Sequence, residues 1–202
     1  AAVGPRPIVF LPPGVMGSGL SFKCQALWCD YGELAKGGLK DLRDVLSADV
    51  QETELLSDYY GDLCEFLGQS HEVVPFPYDW RQPLVAAAKK LADQVTQRLE
   101  QADQRPLRFI AHSTGGLVVR TMIQNDPELW NKLCDQRDSR LVMLGTPNHG
   151  SHAVIETLTG FDRLVRQLAL LDSSQCISSI LDIVGGFPGV LELLPKEDSL
   201  FL

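Results

Sequence analysis

The residues with the clearest chemical potential lie around Ser113, in the run LRFIAHSTGGLVVRT at residues 107–121. A serine hydroxyl is a weak nucleophile unless it is exposed, aimed and supplied with a base. A tight strand-to-helix turn does the first two. It lifts the hydroxyl off the carboxyl edge of a sheet, into the crevice where open α/β sheets bind ligands. So sharp a turn needs small residues two before and two after the serine. Ala111 and Gly115 meet that need, although glycine is the commoner residue at the first of these positions. A helix starting at Thr114 turns its unpaired N–H groups toward the site, where they favour developing negative charge. A plainer reading competes: serine before a helix commonly serves as an N-cap, and small-x-Ser-x-Gly recurs by chance.

A second motif bears on the same chemistry. Residues 12–20 read PPGVMGSGL and follow a strand-like run. Acyl transfer needs two N–H donors near the carbonyl oxygen that becomes an oxyanion. One comes from the residue after the nucleophile, here Thr114. The other should come from a glycine-rich turn after an earlier strand. Gly14, Gly17 and Gly19 would let that backbone come close, with Val15 or Met16 supplying the N–H. The plainer reading is a glycine-rich loop without a ligand. A nucleotide site is disfavoured, because no G-x-G-x-x-G is present and no helix with a late acidic partner follows.

These motifs need a sheet and helices to hold them. Four short apolar runs read as strands: residues 7–11 (PIVFL), 71–76 (HEVVPF), 107–111 (LRFIA) and 140–144 (RLVML). Near-continuous apolar runs suit strands buried on both faces of a parallel sheet. Residues 83–102 read as a helix, with Leu84, Ala88, Leu91, Val95, Leu99 and Ala102 on one face and Pro83 at the first turn. A second helix runs from about Gly115 to Asn125 and stops before Pro127. Strand and helix in alternation argue for an α/β fold with a mostly parallel sheet. Residues 151–202 carry amphipathic pieces without a clear buried strand, and read as a helical cap or insert. The run WCDYGELAKGGLKDL reads as a surface excursion between the first and second strands.

Composition narrows the function classes. At 202 residues, 45% apolar and 22% charged, the chain reads as one ordinary globular domain, or part of a larger one. The formal net charge of −8 argues against nucleic acid, which calls for a basic stripe. No apolar run approaches the ~20 residues of a membrane span. The N-terminus shows no signal segment and no Met, which leaves upstream processing open. The five cysteines, Cys24, Cys29, Cys64, Cys134 and Cys176, are too few for a disulfide scaffold. Cys24 and Cys29 could close a small loop, but two unpaired thiols are the preferred reading. The cysteine usage leans to a reducing, cytoplasmic compartment, with a secreted or membrane-associated place left open. No zinc spacing appears, and no metal or cofactor is expected.

Together, the two motifs resemble the α/β-hydrolase superfamily. Three further stretches narrow the resemblance: PFPYDWRQPL at residues 75–84, LVMLGTPNHGS at 141–151 and LELLP at 191–195. The combination resembles the lecithin:cholesterol acyltransferase-like family, which includes phospholipid:diacylglycerol acyltransferases and bacterial members, over about residues 8–195. The resemblance implies Ser113 as nucleophile, with Val15 and Thr114 as oxyanion donors and Met16 as the neighbouring alternative to Val15. It implies that Asp79, Trp80 and Arg81 form a structural loop at the rim of the site. It also implies a lipid ester substrate, a glycerophospholipid or a neutral acylglycerol, hydrolysed or transferred through an acyl-enzyme. Peripheral contact with a membrane is compatible with such a substrate.

By the family's strand order, the four runs correspond to the third to sixth strands. The acid and histidine of the triad would follow the seventh and eighth. The expectation is therefore a single α/β-hydrolase domain over residues 1–202 with an incomplete sheet. Residues 151–202 would be its cap, and the triad would be completed by further chain. Of the four histidines, His112 adjoins Ser113 too closely to serve as its base, and His71 lies at the wrong edge. His149 and His152 follow the fourth run on the right edge but read as structural. Two alternatives stay in view: a non-catalytic module that binds lipid or a partner, and a small-molecule esterase or amidase.

Overall fold

The computed structural model describes residues 6–44, 49–101, 105–171 and 176–195. Its centre is a four-stranded parallel sheet of β1 (Ile8–Leu11), β5 (Glu72–Pro75), β6 (Leu107–His112) and β7 (Arg140–Leu144), in the order β5-β1-β6-β7. The four apolar runs thus form strands as expected. Ile8 pairs with both Glu72 and Leu107, and His112 pairs with Leu144. The carboxyl ends of β1, β6 and β7 therefore share one edge, and the two motifs leave the sheet there.

Burial follows position in the sheet. All of β1 is buried, and β6 alternates. Phe10 and Phe109 stack across this pair at 5.6 Å. The outer strands do not match the expectation of burial on both faces. In β7, Val142, Met143 and Leu144 are exposed, because the strand has a neighbour on one side alone among the described residues.

The amphipathic reading of residues 83–102 gives α4 (Leu84–Gln101), which buries Ala88, Leu91 and Val95 on its predicted face. Pro83 precedes the helix, and Ala102 lies outside the described residues. α4 packs on α5 (Thr114–Asn125), the helix after Ser113. α5 stops at Asn125, and Pro127 then opens α6 (Pro127–Cys134). There the Asp126 carboxylate caps the Leu129 N–H at 2.9 Å.

Residues 18–55 correct two readings. A second, antiparallel sheet is built from β2 (Ser18–Phe22), β3 (Gln25–Trp28) and β4 (Val50–Leu55), in the order β3-β2-β4. The glycine-rich motif therefore runs into a strand. Gly19 serves this sheet, since a Cβ there would lie 2.3 Å from Thr53 Oγ1. The stretch read as a surface excursion carries a short α1 (Tyr31–Glu33), a π-helical turn (Leu34–Gly38) and α2 (Leu39–Asp44). It is not superficial. Trp28, Leu34, Leu39 and Leu42 are buried, because their spacing directs them into the core beneath Trp80. Cys24 is an unpaired thiol, so no disulfide closes the loop to Cys29.

A helix absent from the sequence reading, α3 (Ser57–Gly68), follows β4. Residues 151–195 are helical where described: α7 (His152–Leu158), α8 (Arg163–Leu171), α9 (Ile177–Val184) and α10 (Pro188–Leu191). Ile180, Ile183, Val184, Phe187, Val190 and Leu193 join the main core. No helix among the described residues is long and apolar enough to cross a membrane.

Candidate active site

The link from β6 to α5 is one residue, Ser113, at φ 50° and ψ −122°. That left-handed conformation is rare for a residue with a side chain, and it costs of order 1–3 kcal/mol. The surroundings impose it. The Ser113 N–H donates to the Leu144 carbonyl at 2.8 Å, and the His112 N–H donates to the Pro12 carbonyl at 3.0 Å. The turn is thus pinned between the ends of β7 and β1. A Cβ on Gly115 would lie 2.3 Å from the Pro12 oxygen, and one on Gly116 would lie 2.0 Å from Thr146 Oγ1. Both glycines are required by close approach. The hydroxyl of Ser113 makes no capping bond to α5, so the N-cap reading does not describe it.

Strain at the turn has a measurable consequence. Ser113→Gly relieves it and gives back about 0.5–1 kcal/mol through the freer unfolded chain. The variant is expected to be more stable by about 1 kcal/mol in urea unfolding of the native gene product. A loss of stability would show that the turn is relaxed.

The glycine-rich turn lies against this elbow. A Cβ on Gly14 would sit 3.1 Å from Ser113 Cβ. The Gly14 N–H donates to the Tyr60 hydroxyl at 2.8 Å, and the Gly17 N–H donates to the Gly14 carbonyl at 3.0 Å. Tyr78 Oη donates to the Pro13 carbonyl at 3.1 Å, and Trp28 Nε1 donates to the Met16 carbonyl at 2.9 Å. Met16 itself has φ 61°. The Val15 N–H donates to Thr114 Oγ1 at 3.3 Å, which ties the turn directly to the residue after Ser113. Thr114 opens α5, where the first N–H groups have no partner within the helix.

Val15, Met16 and Ser113 line one pocket of about 850 Å³, and Thr114 is buried beside it. Its walls include Trp28, Leu34, Leu56, Leu63, Leu144 and Leu168. Tyr59 and Leu170 also line it while remaining 72% and 84% exposed, which places them at its opening. The lining contains no Asp, Glu, Lys or Arg among the described residues.

The other residues singled out lie elsewhere. His71 sits at the opposite edge of the sheet, with Nδ1 2.8 Å from Ser70 Oγ and Nε2 3.0 Å from Arg108 Nη1. His149 and His152 are exposed and do not line the pocket. His112 does line it, with Nδ1 2.9 Å from the Tyr60 hydroxyl. The Ser113 side chain has no hydrogen-bond partner among the described residues. Asp79, Trp80 and Arg81 are buried rather than at the rim of the pocket. Arg81 forks onto Asp79 through Nε–Oδ1 at 2.9 Å and Nη2–Oδ2 at 2.8 Å. Trp80 packs edge-on against Trp28 and Phe187. Tyr60 was missed by the sequence reading. The spacing of Tyr60, Leu63 and Leu67 was the available signal for its helix.

The three stretches beyond the serine motifs pack on one another. Gly189 N–H donates to the Arg81 carbonyl at 3.1 Å, and a Cβ there would lie 2.3 Å from the Trp80 oxygen. Leu84 N–H donates to Glu192 Oε2 at 2.7 Å. Gly150, at φ 90°, lies against the backbone of Leu194 and Pro195, and Ser151 N–H donates to the Leu193 carbonyl at 2.8 Å. The PYDWRQPL, GTPNHGS and LELLP segments are thus parts of one support.

The family model for lecithin:cholesterol acyltransferase matches residues 47–201. Among solved structures, the mature form of Bacillus licheniformis lipase BlEst2 is similar with a TM-score of 0.47 and 13% identity, over 95% of this chain and 64% of that one. The RedJ thioesterase from the prodiginine biosynthetic pathway in Streptomyces coelicolor is similar with a TM-score of 0.41 and 14% identity, over 93% of this chain and 61% of that one. The chain therefore spans less than two thirds of either structure. No curated protein matches it. With the family model matching well over half of its residues, the chain belongs to the lecithin:cholesterol acyltransferase family.

Proposed function

We propose that the chain carries the nucleophile and oxyanion hole of a serine acyl hydrolase or acyltransferase acting on lipid esters. The observation that carries this reading is the strained, uncapped Ser113, set against the residue 12–17 turn in an apolar pocket. Ser113 Oγ attacks the ester carbonyl. The Val15 N–H leaves its long bond to Thr114 Oγ1 and, with the Thr114 N–H, holds the oxyanion; Met16 is the neighbouring alternative donor. The tetrahedral intermediate collapses to an acyl-enzyme and a free alcohol. Water or an acceptor alcohol then takes the acyl group. Taking up the Ser113 proton requires a general base with an acid behind it, and among the described residues His149 and His152 lie outside the pocket.

The pocket lining favours an uncharged ester. A phosphate drawn into it would meet no cationic side chain among the described residues, and an unpaired charge is costly to desolvate. Exposed Tyr59 and Leu170 at the opening favour contact with a lipid surface. The native gene product is expected to hydrolyse dioleoylglycerol with kcat/KM at least about tenfold above dioleoylphosphatidylcholine. Equal rates, or a preference for the phospholipid, would contradict the neutral-ester assignment. Absence of any esterase activity would favour a second reading, a lipid-binding module. The lack of a described partner for the Ser113 hydroxyl speaks for that reading.

A further inference from the structure

Tyr60 stands between the two halves of the site. It projects from α3 and is 5% exposed. Its hydroxyl accepts the Gly14 N–H at 2.8 Å and lies 2.9 Å from His112 Nδ1. The Tyr60 and His112 rings meet edge-on, with centroids 5.8 Å apart. A Cβ on Gly17 would fall 2.9 Å from Tyr60 Cε2. One side chain therefore touches both ends of the glycine-rich turn and the residue before Ser113.

We propose that Tyr60 is a positioning residue that holds the oxyanion turn against the nucleophile elbow and fixes the tautomer of His112. The proposal rests on the acyl-transfer reading for its effect on rate, but not for its geometry. A phenol has one proton and two lone pairs. Gly14 occupies one lone pair. The proton then goes to His112 Nδ1, because the hydroxyl has no other acceptor within reach among the described residues. His112 Nδ1 is thereby an acceptor, and the ring carries its proton on Nε2. Burial, the larger effect, raises the Tyr60 pKa above its ordinary value, so the phenol keeps the proton it donates. The Tyr60 bond holds the Pro13–Gly14 peptide, and the Gly17 N–H on the Gly14 carbonyl at 3.0 Å holds the next peptide, which carries the Val15 N–H. An oxyanion donor works only when it is held at the right distance beforehand.

A packing role alone would be met by phenylalanine, so Tyr60→Phe separates the two. The experiment compares the native gene product with Tyr60→Phe by p-nitrophenyl butyrate kinetics, amide hydrogen exchange and side-chain nitrogen shifts. The expected result is a kcat lower by about 10–100-fold with KM within about threefold. Exchange at Gly14 should be faster by at least about tenfold. The His112 Nδ1 resonance should shift as it loses its donor. A second variant, His112→Leu, removes the acceptor of the phenol and should speed Gly14 exchange in the same direction. An unchanged kcat with unchanged Gly14 exchange would overturn the proposal. Should the unaltered protein lack esterase activity, the acyl-transfer reading fails by itself. Gly14 exchange and the His112 resonance then still decide whether Tyr60 holds the turn.

Discussion

Arg81→Leu is expected to destabilise the fold by about 3–5 kcal/mol. The guanidinium is 2% exposed and its partner Asp79 8% exposed. Arg81 makes two parallel bonds to the carboxylate, and Nη1 donates to the Leu42 carbonyl at 2.5 Å. The Asp79 carboxylate also accepts the Arg81 N–H at 3.1 Å. Arg81 therefore joins the loop after β5 to the end of α2. Leucine fills much of the volume but leaves a buried carboxylate without its counter-charge. Replacing both residues, as Asp79→Leu with Arg81→Leu, removes the stranded charge and should cost less than Arg81→Leu alone. Urea unfolding of the native gene product and the two variants checks this. A loss below about 1 kcal/mol in Arg81→Leu would mean that the carboxylate finds water or another cation.

Ser113→Ala carries the largest expected effect on activity. Removing the nucleophile of a working triad costs about 10⁴–10⁶-fold in kcat, because the remaining groups no longer act as a unit. KM should stay within a few-fold, since the apolar walls of the pocket are untouched. The fold should survive, because the Ser113 hydroxyl caps nothing. Steady-state hydrolysis of a p-nitrophenyl ester, beside the thermal midpoint of the same samples, tests the prediction. A loss of only a few-fold would place the nucleophile elsewhere.

The parts of the fold that were legible in the sequence are those whose burial depends on local pattern. β1 is apolar because both faces are covered, β6 buries alternate residues, and α4 shows a 3.6-residue period because one face packs on the core. The second sheet was hidden for physical reasons. β4 reads VQETEL and buries Val50 alone, so it carries no apolar alternation. β2 begins inside a glycine-rich motif whose residues invite a loop reading. β7 looked like a buried strand, yet its apolar side chains are exposed at an edge. Composition does not distinguish an edge strand from a covered one.

The candidate site was legible in the same partial way. Ser113, Thr114, Val15 and Met16 were singled out from the chemistry that acyl transfer requires; Ser113, Val15 and Met16 line one pocket, and Thr114 is tied to it through Val15. Tyr60 was not found, because a tyrosine on an amphipathic helix is usually read as packing. Its meaning comes from bonds to Gly14 and His112, 46 and 52 residues away. Gly116 was not singled out, because its reason lies in Thr146, across the sheet edge.

The central claim is that Ser113 is a nucleophile in a working acyl-transfer site. The most direct test is the intact mass of the native gene product before and after a fluorophosphonate, with Ser113→Ala beside it. The account predicts one adduct on the unaltered protein and none on the variant. An unaltered protein that takes up no adduct, or a variant that still takes one, would contradict it.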